Sequence, residues 1–147
     1  MLVQTFTKEN FFDMDPMHDC YVSQFSFEDK TLIITYDKLD EGIVDPNGEP
    51  LYKYKKLVIR YEFESYCDVS WRSKKKYDVI PFYKHPEEFH NKFKNYVFMN
   101  YKFSLDCFDE LSLHLTAYKL KKGTELCSRW FGITIMCDAK KVTYTWE

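Results

Sequence analysis

Apolar residues recur at every second position through most of this chain, and that rhythm limits the fold more than any other feature. Val97, Met99, Tyr101, Phe103 and Leu105 alternate with Phe98, Asn100, Lys102 and Ser104. Leu57, Ile59, Tyr61 and Phe63 alternate with Val58, Arg60, Glu62 and Glu64. Leu111, Leu113, Leu115 and Ala117 alternate with Ser112, His114, Thr116 and Tyr118. Near the end come Phe131, Ile133, Ile135 and Cys137, then Val142, Tyr144 and Trp146 against Thr143 and Thr145. Successive strand side chains point to opposite faces, so this pattern makes one buried and one wet face, the mark of antiparallel sheet. Aromatics make up 19% of the chain, with thirteen Phe and twelve Tyr. Broad rings suit a pleated, half-buried surface.

The stretch Cys20–Phe27 switches parity, from Cys20 and Val22 to Phe25 and Phe27. One extra residue near Ser23–Gln24 would do this, because a bulge carries later side chains to the other face. Thr31–Asp37 reads as the next strand, with Glu28, Asp29 and Lys30 at the tip of a hairpin between the two. In "DEGIVDPNGEP" Pro46 suits the first central position of a turn and Gly48 can take positive φ. "HPEEFHNKFKN" is the helix candidate. Pro86 suits a first turn, Glu87 and Glu88 complement the positive helix end, and Phe89 and Phe93 share a face. The expected fold is mainly β (β-rich α+β): an antiparallel curved sheet, or a partly closed barrel or sandwich, of about seven to nine strands with one short helix near 86–95. At 147 residues the chain reads as one domain.

Composition narrows the function classes. The first fifteen residues lack a basic and an apolar signal region, and no run reaches the roughly 20 apolar residues of a membrane span. The chain is expected to be soluble and cytoplasmic. Cys20, Cys67, Cys107, Cys127 and Cys137 are odd in number and contain no CxxC, so they read as small buried apolar residues. Residues 1–50 hold eleven Asp/Glu against three Lys, whereas residues 51–102 hold twelve Lys/Arg against six acids. Such blocks serve a charged partner or face each other within the fold.

Each candidate for chemistry carries a structural alternative. His18, Asp19 and Cys20 are adjacent, and neighbours on a strand diverge, so the three do not converge on one ion. His18 and Asp19 form a possible polar site; Asp19 is equally suited to accept backbone N–H bonds. His85 and His90 are five apart, not the four of a zinc helix. There is no GxSxG, phosphate loop or dinucleotide fingerprint, so neither a catalytic residue, a metal nor a cofactor is expected. "RSKKKYDVIPFYK" interleaves basic and aromatic residues as single-strand nucleic-acid binders do. The chain's pI of about 6.1 argues against that use. Asp37, Asp40, Glu41, Asp45 and Glu49 form an acidic stretch without the ligand spacing of a calcium loop. It is suited to a basic protein partner.

The sequence from His18 to Ile34, with His18-Asp19-Cys20-Tyr21-Val22, Phe25, Phe27-Glu28 and Leu32-Ile33-Ile34, resembles the opening of a group of small bacterial proteins. Their first strand starts with His-Asp-Cys or His-Asp-Ser and leads into a hairpin. Some of them are similar to cytosolic immunity proteins that neutralise a cognate toxin. The resemblance implies a non-enzymatic β protein with a protein partner, and it carries no catalytic residue. The expected contact surface is the acidic stretch with Tyr54, Tyr96, Phe98 and Tyr118, which fall on the nominally wet faces. A second reading is a small-ligand barrel with a lumen lined by Tyr61, Tyr101 and Tyr144. A third, an enzyme, requires His18 or His114 to meet a carboxylate in a cleft.

Overall fold

In a computed structural model the described residues are 1–7, 9, 20–37, 39, 44, 47–72, 77–94, 96–107, 110–120 and 126–147, with 99–107, 110–115, 119–120 and 126–130 described by backbone alone. They form eight strands and one helix: β1 (Leu2–Phe6), β2 (Tyr21–Glu28), β3 (Thr31–Tyr36), β4 (Leu57–Arg72), β5 (Tyr77–Pro81), α1 (Pro86–Lys92), β6 (Tyr96–Cys107), β7 (Glu110–Leu120) and β8 (Leu126–Trp146). All pairings are antiparallel. The order β1-β8-β7-β6-β2-β3-β4-β5, with β8 also paired to β4, closes β8-β7-β6-β2-β3-β4 into a six-stranded barrel. Closure gives each of those six strands a partner on both sides, with the shortest described pairing between β2 and β6.

Two long strands hold the barrel together. One edge of β4 carries β3 along residues 57–62 and then β5 along 68–72. Its other edge pairs with β8 from Leu57↔Trp146 to Arg72↔Gly132. On β8's remaining edge β7 pairs with residues 126–137 and β1 with 142–146. Strands this long must bend to close a barrel, and bulges supply the bend. Between Phe63↔Ala139 and Cys67↔Cys137, residues 64–66 of β4 face only Asp138. Between Glu62↔Lys141 and Phe63↔Ala139, β8 inserts Lys140.

The Asp138 carboxylate accepts from the backbone N–H of Glu64 (3.2 Å), Ser65 (3.0 and 2.9 Å) and Tyr66 (3.0 Å), and from the Ser65 hydroxyl. Those three amides have left the ladder, and one carboxylate satisfies them all. Burial alone would raise the Asp138 pKa. The Ser65 hydroxyl and the Tyr66 and Ser65 amides outweigh it, so the carboxyl titrates below the usual aspartate value.

The barrel interior follows the sequence alternation. Leu32, Ile34 and Tyr36 of β3 point inward, as do Leu57, Ile59, Tyr61 and Phe63 of β4. From β8 come Ile133, Ile135, Cys137 and Ala139, then, after the Lys140 bulge, Val142, Tyr144 and Trp146. Every one of these is essentially inaccessible to solvent. Burying each large apolar side chain contributes roughly 1.5–3 kcal/mol. Trp146 sits between Leu2 of β1 and Leu57 of β4, and its indole Nε1–H donates to Gln4 Oε1 at 2.9 Å. The expected bulge in β2 is present between Val22 and Gln24. The β2–β3 hairpin turns at Asp29 (φ 51°), and Gly48 takes φ 82°.

One face assignment is corrected. Phe98 and Tyr96, expected on the wet face of β6, are half-buried and pack against the core. The alternation around them has aromatic or apolar residues in both parities, so it does not choose a face. A further bulge between Asn100 and Lys102 breaks the phase.

Candidate functional site

The barrel is weakest where β2 meets β6. Among the described residues only Tyr21↔Met99 and Val22↔Phe98 pair there. Beyond the bulge between Val22 and Gln24, β2 pairs with β3 but not with β6 among the described residues. The helix fills the wedge. Its Pro86 stands in the first turn, Glu87 and Glu88 follow, and Lys92 closes it, as the sequence indicates. Phe89 and Phe93, one turn apart, are buried against the barrel. Phe89 meets Phe25, Phe82 and Phe98 with ring centroids 5.9, 5.2 and 5.7 Å away. Phe93 meets Trp71, Tyr96 and Phe131 at 5.4, 5.2 and 5.7 Å. Most of these pairs are tilted or edge-to-face, the arrangement the ring quadrupole favours.

The wedge is not completely filled. A half-open cavity of about 210 Å³ remains, lined by the apolar Val22, Phe25, Phe89, Phe93 and Phe98 and by Ser23, Gln24, His90, Lys94 and Tyr96. The Ser23 hydroxyl donates to the Thr35 carbonyl at 3.1 Å. Gln24, His90 and Lys94 are exposed. The accessible lining is more polar than apolar, and phenylalanines beside a polar, partly cationic mouth can receive a small group that carries both an apolar part and an acceptor or negative charge.

Other chemical groups lie apart from it. Cys67 and Cys137 face each other across β4 and β8, both buried. A hydrogen bond with the Cys137 thiol, and then burial, push the Cys67 thiol well above its ordinary pKa. A thiol in that setting is a packing residue and not a nucleophile. Cys20 is buried likewise. Burial, and then the neighbouring Cys20, hold the Tyr36 phenol above its usual value, and its hydroxyl has no hydrogen-bond partner among the described residues. Among those residues no group of three or more His, Cys, Asp or Glu could hold a metal ion. No helix there is long and apolar enough to cross a membrane.

The residues singled out from sequence are dispersed. His18, Asp19, Asp40, Glu41 and Asp45 lie outside the described residues, and so does the side chain of His114. Asp37 and Glu49 are exposed. Tyr54 packs on the core 6.2 Å from the Trp146 ring, with Lys53 Nζ 5.5 Å above its own ring. Tyr118 is half-buried opposite Val97 and Trp130. Only Tyr96 and Phe98 come together, at the cavity. Tyr61 and Tyr144 are within the packed interior, and the side chain of Tyr101 is not described. In the basic segment Phe82 is buried and Tyr83 half-buried, which withdraws them from base stacking. Gln24, His90 and Lys94 were not expected to share a site. The available signal was the parity switch at Ser23 together with the Phe89/Phe93 stripe, two apolar surfaces that each need a partner.

These features define the class: an antiparallel six-stranded barrel with a filled interior and a helix in its seam. Comparison with protein-family models, curated proteins and solved structures returns no match to this chain.

Proposed function

We propose that this chain is a cytoplasmic, non-enzymatic protein-binding module and, more narrowly, an immunity-type inhibitor that covers a toxin's working surface. The filled interior supports this reading. Trp146, Tyr36, Tyr61, Tyr144 and Phe63 occupy the lumen that a small-ligand barrel would leave open. Recognition is then left to the outer surface. Between β3 and β4, Val44 and Tyr52 are 39% and 50% exposed, close in sequence to the exposed Asp37 and Glu49. Exposed aromatic and aliphatic side chains flanked by carboxylates suit a basic partner, with the apolar groups supplying affinity and the acids the association rate.

The test uses affinity capture from cells of the source organism with wild-type protein and with a Asp37→Lys/Glu49→Lys/Tyr52→Ala variant. One basic protein enriched by wild type, lost by the variant and weakened by salt is the expected result. A partner held equally by both proteins would refute the assigned surface. For the narrower reading, co-expression with the product of the neighbouring gene should relieve growth arrest caused by that product.

A further inference from the structure

We infer that the seam cavity between β2, α1 and β6 is a binding site for a small aryl-alkyl carboxylate. It shares no residue with the surface between β3 and β4, and it does not lie in the barrel lumen. Size, lining and charge together lead to this class.

Size comes first. An apolar protein cavity of about 150 Å³ takes up benzene. The seam cavity, at about 210 Å³, holds one six-membered ring with a short polar arm. The lining is next. Phe25, Phe89, Phe93 and Phe98 line the cavity; Phe25 and Phe98 are half-buried, and Phe89 and Phe93 are almost inaccessible. Their rings already meet one another at 5.0–6.0 Å. A further aromatic ring continues that cluster with the same edge-to-face contacts.

Charge selects the arm. Lys94 and His90 line the cavity with Gln24 and Ser23, and among the described residues no carboxylate does. Lys94 makes no ion pair among the described residues, unlike Lys56, Lys140 and Lys141, which pair with Glu147, Glu64 and Glu62. A carboxylate on a two-carbon arm reaches the rim from a ring seated on the phenylalanines. A cationic ligand would meet Lys94 with like charge.

The probe is 3-phenylpropionate, with 3-phenylpropionamide as the uncharged control and acetate as the ringless one. Amide and side-chain shifts in two-dimensional NMR report both affinity and location. 3-Phenylpropionate is expected to bind with a dissociation constant on the order of 1 mM, from the efficiency of small ligands. It should shift Ser23, Gln24, His90, Lys94 and Tyr96, and bind about fivefold more tightly than its amide, since a rim charge pair is worth little more. Acetate should move none of them at the same concentration. Lys94→Gln, an exposed change that leaves the fold intact, should erase the difference between acid and amide without weakening the amide. Gln24→Trp should fill the mouth and abolish binding of both, its folded state verified by the unperturbed signals of β8. Equal affinity for acid and amide in the wild type would overturn the inference. So would shifts confined to other residues, undiminished binding by Gln24→Trp, or no shift at ten times the expected constant.

Discussion

Asp138→Ala offers the sharpest test of how the barrel bends. The substitution removes the single acceptor serving three consecutive amides and the Ser65 hydroxyl. Bonds to a charged acceptor contribute about 1.5–3 kcal/mol each when sheltered. Glu64 and Ser65 are exposed, so water replaces most of what their amides lose; Tyr66 is half-buried and its amide is less easily rescued. Counting one sheltered bond in full and discounting the rest for solvent gives about 2–3 kcal/mol. Asp138→Asn keeps one acceptor oxygen but turns an amide group towards Ser65, and should cost about 1–2 kcal/mol.

Acid reduces the difference. The folded-state pKa of Asp138 is lowered, so its contribution is complete above the unfolded value of about 3.9 and disappears as pH falls through the folded value. Urea denaturation followed by tryptophan fluorescence gives the stabilities, and an unchanged slope shows that the unfolded state is unaltered. The gap between wild type and Asp138→Asn should be flat near neutrality and shrink once the pH drops below about 4. A cost under about 0.5 kcal/mol for Asp138→Ala, or a gap that ignores pH, would refute the assignment of the bend to this carboxylate.

Three further outcomes are expected. Phe89→Ala empties the centre of the aromatic cluster under α1 and should cost about 3–5 kcal/mol, read as a lowered thermal midpoint. Site-resolved iodoacetamide labelling should leave Cys67 and Cys137 unmodified in the native protein at mildly alkaline pH and modify both in guanidinium, because burial and the raised Cys67 pKa suppress the thiolate. Gln4→Ala leaves the Trp146 indole N–H without its acceptor and should cost about 1 kcal/mol in urea denaturation.

Much of the architecture is readable in the alternation. Inward residues of β3, β4 and β8 follow it, and the parity switch at Ser23 marks a real bulge. The helix was legible from Pro86, the acids after it and the Phe89/Phe93 spacing. The curved sheet closing towards a barrel was expected and is found, but the strands that close it were not legible. Closure depends on β4 meeting β8 some seventy residues later, as the Ser65–Asp138 contact shows, and no local pattern encodes a partner that distant. β1 and β5 were also missed, being short strands of five residues each whose membership depends on the long strands beside them. The site was less legible still. A cavity at a seam records where two strands part, and its rim residues Gln24, His90 and Lys94 have nothing in common until the helix is placed.

The position of β8 in the chain sets the timetable of folding. A ribosome delivers β1, β4 and β7 before the strand that joins them, so each waits with an open backbone edge while the rest is synthesised. Long-range pairing of this kind is slow, and the nascent chain is exposed to aggregation until Trp146 emerges. Ribosome-bound chains stalled before residue 126 should therefore recruit chaperones and lack the protease resistance of the released protein.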